Sequence, residues 1–384
     1  MKRNIIIRSI ATVLLFITYL WLLIACEPVT VSVNSKGEVA FTRSEGIFYM
    51  DFTSSKLNLL DWNYGSDAVP VLVKWAPDDK NLAFTVKDNK DSQETKLYKI
   101  NLSGKKSKLY STSKVITHIE GANDYISVAQ AGEDSDMGVA DIVQISARDG
   151  MSKVILSNVG DFHKWLDEKN IVYFKIIQKN SANSDIYLAE LQTYNIEDNE
   201  SKTLAKAIVN KVGGIDCYKN GSGVVFTAIN AGSPDIDMDF TEGMSSNSFA
   251  FKYDCQTKAL EKLSSEIINY VNLSPDGTKL LVKNKTGEYD ANINLSYIDL
   301  KDKSLKLLIS KATGSISANS STVQVYPVWK DDNTVLYWNL NNIYGSNGQS
   351  LDLMSVTLDK MVKTNLQNMI DTEVAKVVEK KGGY

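Results

Sequence analysis

The chain has 384 residues with a formal net charge of −4, and 43% of its residues are hydrophobic and 23% charged. This composition is ordinary for a globular protein. The arginines are Arg3, Arg8, Arg43 and Arg148, so the chain lacks the basic face that is typical of a nucleic-acid-binding protein.

Residues 1–25 have the pattern of a targeting segment. Lys2, Arg3 and Arg8 are followed by an apolar run, Ile10–Ile24, as in a secretory signal peptide. The run ends in Leu23-Ile24-Ala25-Cys26, which resembles the lipobox of bacterial lipoproteins. The resemblance implies that Cys26 becomes the first mature residue and carries a diacylglycerol, whose two chains anchor a protein stably. An ordinary secretory signal or an uncleaved membrane anchor is the alternative.

A two-part pattern recurs seven times after the targeting segment, at spacings of 43 to 56 residues. Its first part is a tight turn and a hydrophobic strand; the strands begin at Glu38, Asn81, Asp124, Asn170, Gly223, Lys279 and Thr334. Its second part is a strand with regularly spaced aromatic or aliphatic residues. The copies of this strand are residues 47–51, 97–101, 142–146, 191–196, 251–255, 296–300 and 353–357. Four-stranded units repeated at this period indicate a β-propeller. We therefore predict an all-β fold, a seven-bladed β-propeller of four-stranded antiparallel blades, over residues 26–364.

The turns before the repeated strands have a recognisable chemistry. Ser274-Pro275-Asp276-Gly277 fits a type I turn. Residues 274–282 (SPDGTKLLV) and, less closely, 76–84 (APDDKNLAF) resemble the repeat motif of TolB-like, or WD40-like, propellers. A large apolar residue precedes four of these turns, namely Trp75, Trp165, Leu273 and Trp329. Recurrence at one blade position predicts packing between blades, rather than a ligand platform.

Strand direction sorts the loops of a propeller into two faces. In each blade the turns between strands one and two and between three and four share one face, and the other connections share the opposite face. The connections between strands two and three vary in length and are acidic, so we expect that face to bind the ligand. Within the longest of them, Asp235, Asp237, Asp239 and Glu242 are candidate ligand-binding residues. Calcium binding there is an alternative to simple solvated acids.

Two further pairs of residues carry chemistry. His118 and His163 are the only histidines, and they fall at the ends of the first strands of neighbouring blades, so they are candidates for a pair at the central channel. A paired metal or acid–base role and a structural role both remain open. Cys217 and Cys255 align with the ends of strands one and three of one blade. Two strand spacings are too long for a disulfide, so we predict two buried thiols, with a disulfide as the alternative.

The C-terminal stretch, 365–384, has helical periodicity. Its apolar residues at helical spacing are Leu366, Met369, Ile370, Val374, Val377 and Val378. We expect this helix to dock against the rim or bottom face of the ring, with docking to a partner protein as the alternative.

These features predict a membrane-anchored extracytoplasmic bacterial lipoprotein without a required cofactor. The sequence contains no catalytic signature such as Gly-x-Ser-x-Gly or His-Glu-x-x-His. We therefore expect a non-catalytic binding or scaffolding role for an envelope protein, peptide or glycan. One alternative is an envelope hydrolase or lyase that acts on sugars or peptides at the channel mouth. Another is a purely structural member of an envelope complex.

Overall fold

The structure is a computed structural model. It describes residues 30–43, 46–52, 54, 56–62, 68–88, 94–122, 124–131, 139–210, 214–241, 243–285, 293–313, 327–341 and 350–380. The predicted targeting segment, Cys26 and Glu242 lie outside these residues. No helix within the described ranges is long and apolar enough to cross a membrane.

The strands form antiparallel sheets of strands that follow one another along the chain, except that β18 joins the third sheet although its neighbours in sequence belong to the fourth. The first sheet contains β1 (Val31–Val33), β2 (Val39–Arg43), β3 (Gly46–Asp51) and β4 (Lys56–Trp62). The second contains β5 (Ala68–Trp75), β6 (Asn81–Asp88), β7 (Thr95–Asn101) and β8 (Lys106–Thr112). The third, with eight strands, contains β9 (Ile116–Ala122), β10 (Tyr125–Ala131), β11 (Val139–Ser146), β12 (Ser152–Trp165), β13 (Asn170–Lys179), β14 (Ile186–Asn195), β15 (Glu200–Asn210) and, at its edge, β18 (Asn230–Gly232).

The remaining sheets have four strands each. The fourth contains β16 (Ile215–Cys217), β17 (Gly223–Ala228), β19 (Phe249–Asp254) and β20 (Leu260–Lys262). The fifth contains β21 (Ile267–Leu273), β22 (Lys279–Lys285), β23 (Ile293–Asp299) and β24 (Leu305–Thr313). The sixth contains β25 (Val328–Asp331), β26 (Thr334–Asn341), β27 (Ser350–Thr357) and β28 (Val362–Asn365), and one helix follows it, α1 (Gln367–Lys380).

The eight-stranded sheet is held together by the long strand β12. The N-terminal part of β12 pairs with β11, and its C-terminal part pairs with β13, from His163 to Trp165. Asn158 lies within the part that pairs with β11, at a shift in register between Leu156 and Val159; it has a left-handed φ of 58°, a conformation that asparagine tolerates better than most residues. One strand therefore serves two groups of strands, and the division into sheets does not by itself give the number of blades.

The inner strands form a closed ring. They contact one another in the order β1, β5, β9, β12, β16, β21, β25 and back to β1. Adjacent sheets bury their apolar faces against each other; in one cluster Ala40 and Ile47 of the first sheet pack with Trp75 and Phe84 of the second. The sequence alternates apolar residues with period two along these strands, and this alternation supplies the two faces.

The large residues that end the inner strands pack between sheets, as predicted. The indole N–H of Trp75 donates to the carbonyl oxygen of Ser32 at 3.2 Å, and that of Trp329 donates to the carbonyl oxygen of Asn272 at 3.0 Å. In both cases the acceptor belongs to the preceding inner strand. Trp75 and Trp329 are each 5% exposed, so they act as wedges between neighbouring sheets rather than as a ligand platform.

Helix α1 covers the junction between the first and last sheets. The buried side chains of Leu366, Ile370 and Val374 join one apolar cluster with Phe41 of the first sheet and Leu353 of the last. Docking of the C-terminal helix against the ring is therefore confirmed.

Candidate functional site

One position of the inner strands lines the axis of the ring, and its side chain is polar in six of the seven strands. In three inner strands it is the residue directly before a tryptophan, namely Trp75, Trp165 or Trp329, and we call the position of that tryptophan the wedge position. The other inner strands contribute the residue with the same register against the next strand of their sheet. The residues at this position are Ser32, Lys74, Glu120, Lys164, Asp216, Asn272 and Val328. We call this set the axial ring.

Glu120 is the centre of the axial ring. Its Oε1 accepts hydrogen bonds from the ammonium groups of Lys74 at 3.0 Å and Lys164 at 2.6 Å, and it lies 3.1 Å from Nε2 of His118. The Glu120 side chain is 7% exposed, whereas those of Lys74 and Lys164 are 33% and 20% exposed. A carboxylate with three charge-assisted partners is well compensated for its burial. Three inner strands, β5, β9 and β12, are joined by these contacts.

The contacts shift the protonation equilibria of this cluster. Burial alone would raise the pKa of Glu120, but the ammonium groups of Lys164 and Lys74 outweigh it and hold that pKa well below its usual value. Burial also opposes the charge of Lys164, yet Glu120 and Asp216 raise its pKa. For Lys74, burial is the larger effect and lowers the pKa. At neutral pH Glu120 is ionised and Lys164 is protonated.

The structure brings the two histidines together, at different depths. Their ring centroids are 5.1 Å apart with planes at 82°. His118 faces Glu120, and burial lowers its pKa despite that carboxylate. His163 is fully buried; its Nε2 lies 2.8 Å from the hydroxyl oxygen of Ser127, which also accepts from the indole N–H of Trp165 at 3.0 Å.

These surroundings assign the two histidines different tasks. Burial, followed by the charge of His118, holds the pKa of His163 well below its usual value, so His163 is a neutral core residue that joins β10 to β12. His118 is the member that reaches the axial ring. No group of three or more His, Cys, Asp or Glu side chains suited to a metal ion occurs in the described part of the chain.

A second polar group continues the axial ring on its other side. Asp216 accepts from the side-chain amide of Asn272 at 2.9 Å and from the backbone N–H of Leu273 at 2.7 Å. The hydroxyl of Tyr270 donates to the carbonyl of Pro327 at 2.9 Å. Lys283 lies opposite Tyr270, and burial lowers the pKa of Lys283 to about 8. These bonds connect β16, β21 and the segment before β25.

The acidic segment predicted to bind a ligand lies in the connection between β17 and β19. It follows β18 on the face opposite the short turns. Asp235, Asp237 and Asp239 are all exposed, and they do not converge into a metal-binding group. Glu242 lies outside the described residues. The geometry of the described carboxylates therefore gives the calcium alternative no support.

The cysteines lie in the predicted strand positions. Cys217 ends β16, Cys255 follows β19, and β17 lies between these strands. Both thiols are free, and they are half-buried rather than buried. Burial is also the main reason why the pKa of Cys217 is raised well above its usual value, so this thiol is protonated and weakly nucleophilic at neutral pH.

The sequence reasoning missed the charged members of the axial ring. The available signal was the dipeptide Lys-Trp, which occurs at 74–75 and again at 164–165. A charged residue at a fixed position beside a buried wedge predicts a side chain that faces the ring axis. Glu120 gave no such signal, because glycine, not tryptophan, follows it.

Comparison with solved structures identifies the fold. No protein-family model matches the sequence, and neither does any curated protein. TolB from Acinetobacter baumannii is similar at 12% identity over 88% of this chain and 78% of that chain, with a TM-score of 0.50. The β-propeller domain of the Trilobed protease from Pyrococcus furiosus is similar at 10% identity over 88% and 95%, with a TM-score of 0.57. Oligogalacturonate lyase from Vibrio parahaemolyticus is similar at 11% identity over 85% and 90%, with a TM-score of 0.56. The fold is a TolB-like β-propeller with a C-terminal helix.

Proposed function

We propose that the protein is a membrane-anchored extracytoplasmic lipoprotein whose propeller is a non-catalytic binding module for a protein, peptide or glycan. The proposal rests on the targeting segment that precedes Cys26, on the TolB-like fold and on the charge state of Glu120 and Lys164 in the axial ring.

The propeller is inferred to have seven blades. β12 would supply the last strand of one blade with its N-terminal part and the first strand of the next with its C-terminal part. This division agrees with the order of contacts around the inner ring, from β1 through β25 and back. It also agrees with the seven copies of the sequence repeat.

The pairing of Glu120 carries the argument for binding rather than catalysis. A general acid or base works best when its pKa is near the operating pH. The pKa of Glu120 is held far below that range, and the pKa of Lys164 is raised. The ammonium groups of Lys74 and Lys164 both donate to the Glu120 carboxylate. The cluster therefore joins three inner strands and is poorly suited to proton transfer.

The acidic segment after β18 is the recognition surface that we propose. Asp235, Asp237 and Asp239 are exposed at alternate positions, so their carboxylates are free to meet a cationic surface on a partner. Electrostatic complementarity of this kind raises the association rate and selects the partner.

The test compares two triple variants with the same change in charge. D235N/D237N/D239N neutralises the proposed surface, whereas E168Q/E197Q/D198N neutralises three exposed residues in short turns of the opposite face. Each protein is immobilised and exposed to bacterial envelope extract. We expect a partner that binds the wild type and the control variant, and whose binding falls at least tenfold with the first variant. Equal retention by both variants would refute the assignment of the surface.

Anchoring is tested separately through Cys26. Cells that express the full chain are grown with labelled palmitate, and the same is done for Cys26→Ala. Incorporation of label into the wild type alone supports the lipid anchor. Label in neither protein, or in both, contradicts it.

An enzyme remains the second candidate, because a propeller similar over 90% of its own length is an oligogalacturonate lyase. In that case His118, which lies 3.1 Å from Oε1 of Glu120 in the axial ring, would be the candidate general base. The assay follows unsaturated products from oligogalacturonate, with wild type and His118→Gln. Product formation that depends on His118 would favour the lyase and overturn the binding role.

A further inference from the structure

Inner strand β9 has no side chain at the wedge position. Gly121 lies opposite Ile126 in the register of β9 and β10, and the corresponding residues of three other inner strands are Trp75, Trp165 and Trp329. The backbone at Gly121 is not in the left-handed region, and an added Cβ would come no closer than 3.5 Å to Cδ of Pro77. The backbone therefore does not require glycine at this position. What the glycine provides is space.

A cavity of about 250 Å³ occupies that space between the second and third sheets. Its apolar walls include Pro77, Leu82 and Ala83 on one side and Ile119 and Ile126 on the other. An engineered apolar cavity of about 150 Å³ is enough to bind benzene. The cavity can therefore hold a larger aromatic group such as an indole.

The polar groups of the cavity fit the same ligand. In two equivalent gaps, the carbonyls of Ser32 and Asn272 accept the indole N–H of the next wedge residue; Trp165 donates instead to the hydroxyl oxygen of Ser127. The corresponding carbonyl here belongs to Lys74, and Gly121 has no side chain to donate to it. In the first sheet, Trp75 packs edge-on against the ring of Tyr49, with ring centroids 6.0 Å apart. Lys99 occupies the position in the second sheet that corresponds to Tyr49 in the first. An ammonium group at this place favours an aromatic ring through a cation–π interaction.

The outer end of the cavity is charged and open. The ammonium of Lys99 donates to the carbonyl of Ala147 at 2.5 Å and bridges the two sheets there. Asp78, Asp124 and Arg148 are exposed around the mouth. A narrow apolar interior with a charged rim suits one ring that projects from a longer polar chain.

We propose that this cavity binds a tryptophan side chain of a peptide or protein partner, which takes the place that the chain's own wedge residue takes in other inner strands. The site lies at the short-turn face, opposite the acidic segment, so it is independent of the function proposed above. It gives the propeller a second surface on which a partner can be held.

The test measures binding of N-acetyltryptophanamide by isothermal titration calorimetry and saturation-transfer NMR. We expect a dissociation constant on the order of 0.1 mM, since ligands of this size reach about 0.3 kcal/mol per heavy atom. N-acetylphenylalaninamide, which has no ring N–H for the Lys74 carbonyl, should bind several-fold more weakly. Absence of saturable binding, or equal binding of the two amides, would overturn the proposal. Binding of free indole without binding of the tryptophan amide would also overturn it, in favour of a small-molecule ligand.

Filling the cavity is the decisive control. Gly121→Trp should reduce affinity more than tenfold, and Gly121→Leu, which copies the residue at position 273, provides a smaller substitute whose folding is checked by circular dichroism. Gly243→Trp adds the same side chain where no atom lies within 4 Å of a new Cβ, and it should leave binding unchanged. Unaltered binding by both Gly121 variants would refute the location of the site.

Discussion

Replacement of Glu120 by glutamine tests the central claim about the axial ring. The change keeps the size of the side chain and removes its charge. In the wild type, one carboxylate oxygen accepts from Lys74 and Lys164 and lies within hydrogen-bond distance of His118. The variant leaves two ammonium groups near each other without the carboxylate that compensates them.

The expected loss of stability follows from burial. Removal of one partner from a buried ion pair typically costs about 3–5 kcal/mol. Glu120 is 7% exposed, but Lys74 keeps 33% and Lys164 20% of its side-chain exposure, so water compensates part of the loss. We expect Glu120→Gln to lower the free energy of unfolding by about 3 kcal/mol. The matched control is Glu197→Gln, because Glu197 pairs with Lys169 in a contact where the two side chains are 58% and 55% exposed, and such pairs contribute about 0–1 kcal/mol.

The assay is urea unfolding at several pH values. The folded-state pKa of Glu120 is held well below its unfolded value, which is about 4.3. Its contribution is therefore complete above that value and is lost as the pH falls toward the folded-state pKa. The difference between wild type and Glu120→Gln should be full at pH 7 and shrink below about pH 4.3. A loss no greater than that of Glu197→Gln, or a difference independent of pH, would refute the reasoning.

Three further substitutions test other parts of the fold. Gly150→Ala should cost more than about 2 kcal/mol, because Gly150 has a φ of 75° and a Cβ would lie 2.5 Å from the carbonyl oxygen of Leu109; Gly104→Ala, with a φ of 82° but 3.4 Å of clearance, should cost less. Lys283→Met should raise the unfolding free energy at pH 7, because burial makes it costly to hold Lys283, with its pKa of about 8, in the charged form. The unfolded lysine has a pKa of about 10.4, so the unfolding free energy of the wild type should rise between about pH 8 and that value. The advantage of the variant should therefore disappear above about pH 10.4. Ile370→Ala should cost about 3 kcal/mol by thermal or chemical unfolding, since Ile370 is 2% exposed; a loss below 1 kcal/mol would mean that α1 is not firmly docked.

The fold could be predicted because its determinants are local and repeated. Each strand carries its own alternation of apolar residues, and each turn carries its own residues, as Ser274-Pro275-Asp276-Gly277 does. Each of these local patterns is weak alone but is repeated seven times along the chain. Trp75, Trp165 and Trp329 also occupy the same register position in their sheets. The two-sided strand β12 was not expected, because the sequence gives no break where one group of strands ends and the next begins.

The axial ring could not be predicted to the same degree, because its contacts join residues of different sheets. Glu120 meets Lys74 and Lys164 across sequence separations of 46 and 44 residues. The repeat places each residue within its own sheet but does not say which side chains point at one another across the axis. Proximity of His118 and His163 was predicted from equivalent strand positions, whereas the full burial of His163 depends on the packing of its neighbours.

Side-chain packing between the first sheet, the last sheet and the terminal helix closes the ring. β1 to β4 come from one continuous segment and β25 to β28 from another, so among the described strands none is exchanged between the first and last sheets. Closure must then come from side chains, and Leu366, Ile370 and Val374 supply it by joining one cluster with residues of both sheets. Because apolar burial is non-directional, a helix can seal this junction without the register that an exchanged strand would need. The terminal helix is thus part of the architecture of the ring, and this accounts for the apolar periodicity that begins where the last strand ends.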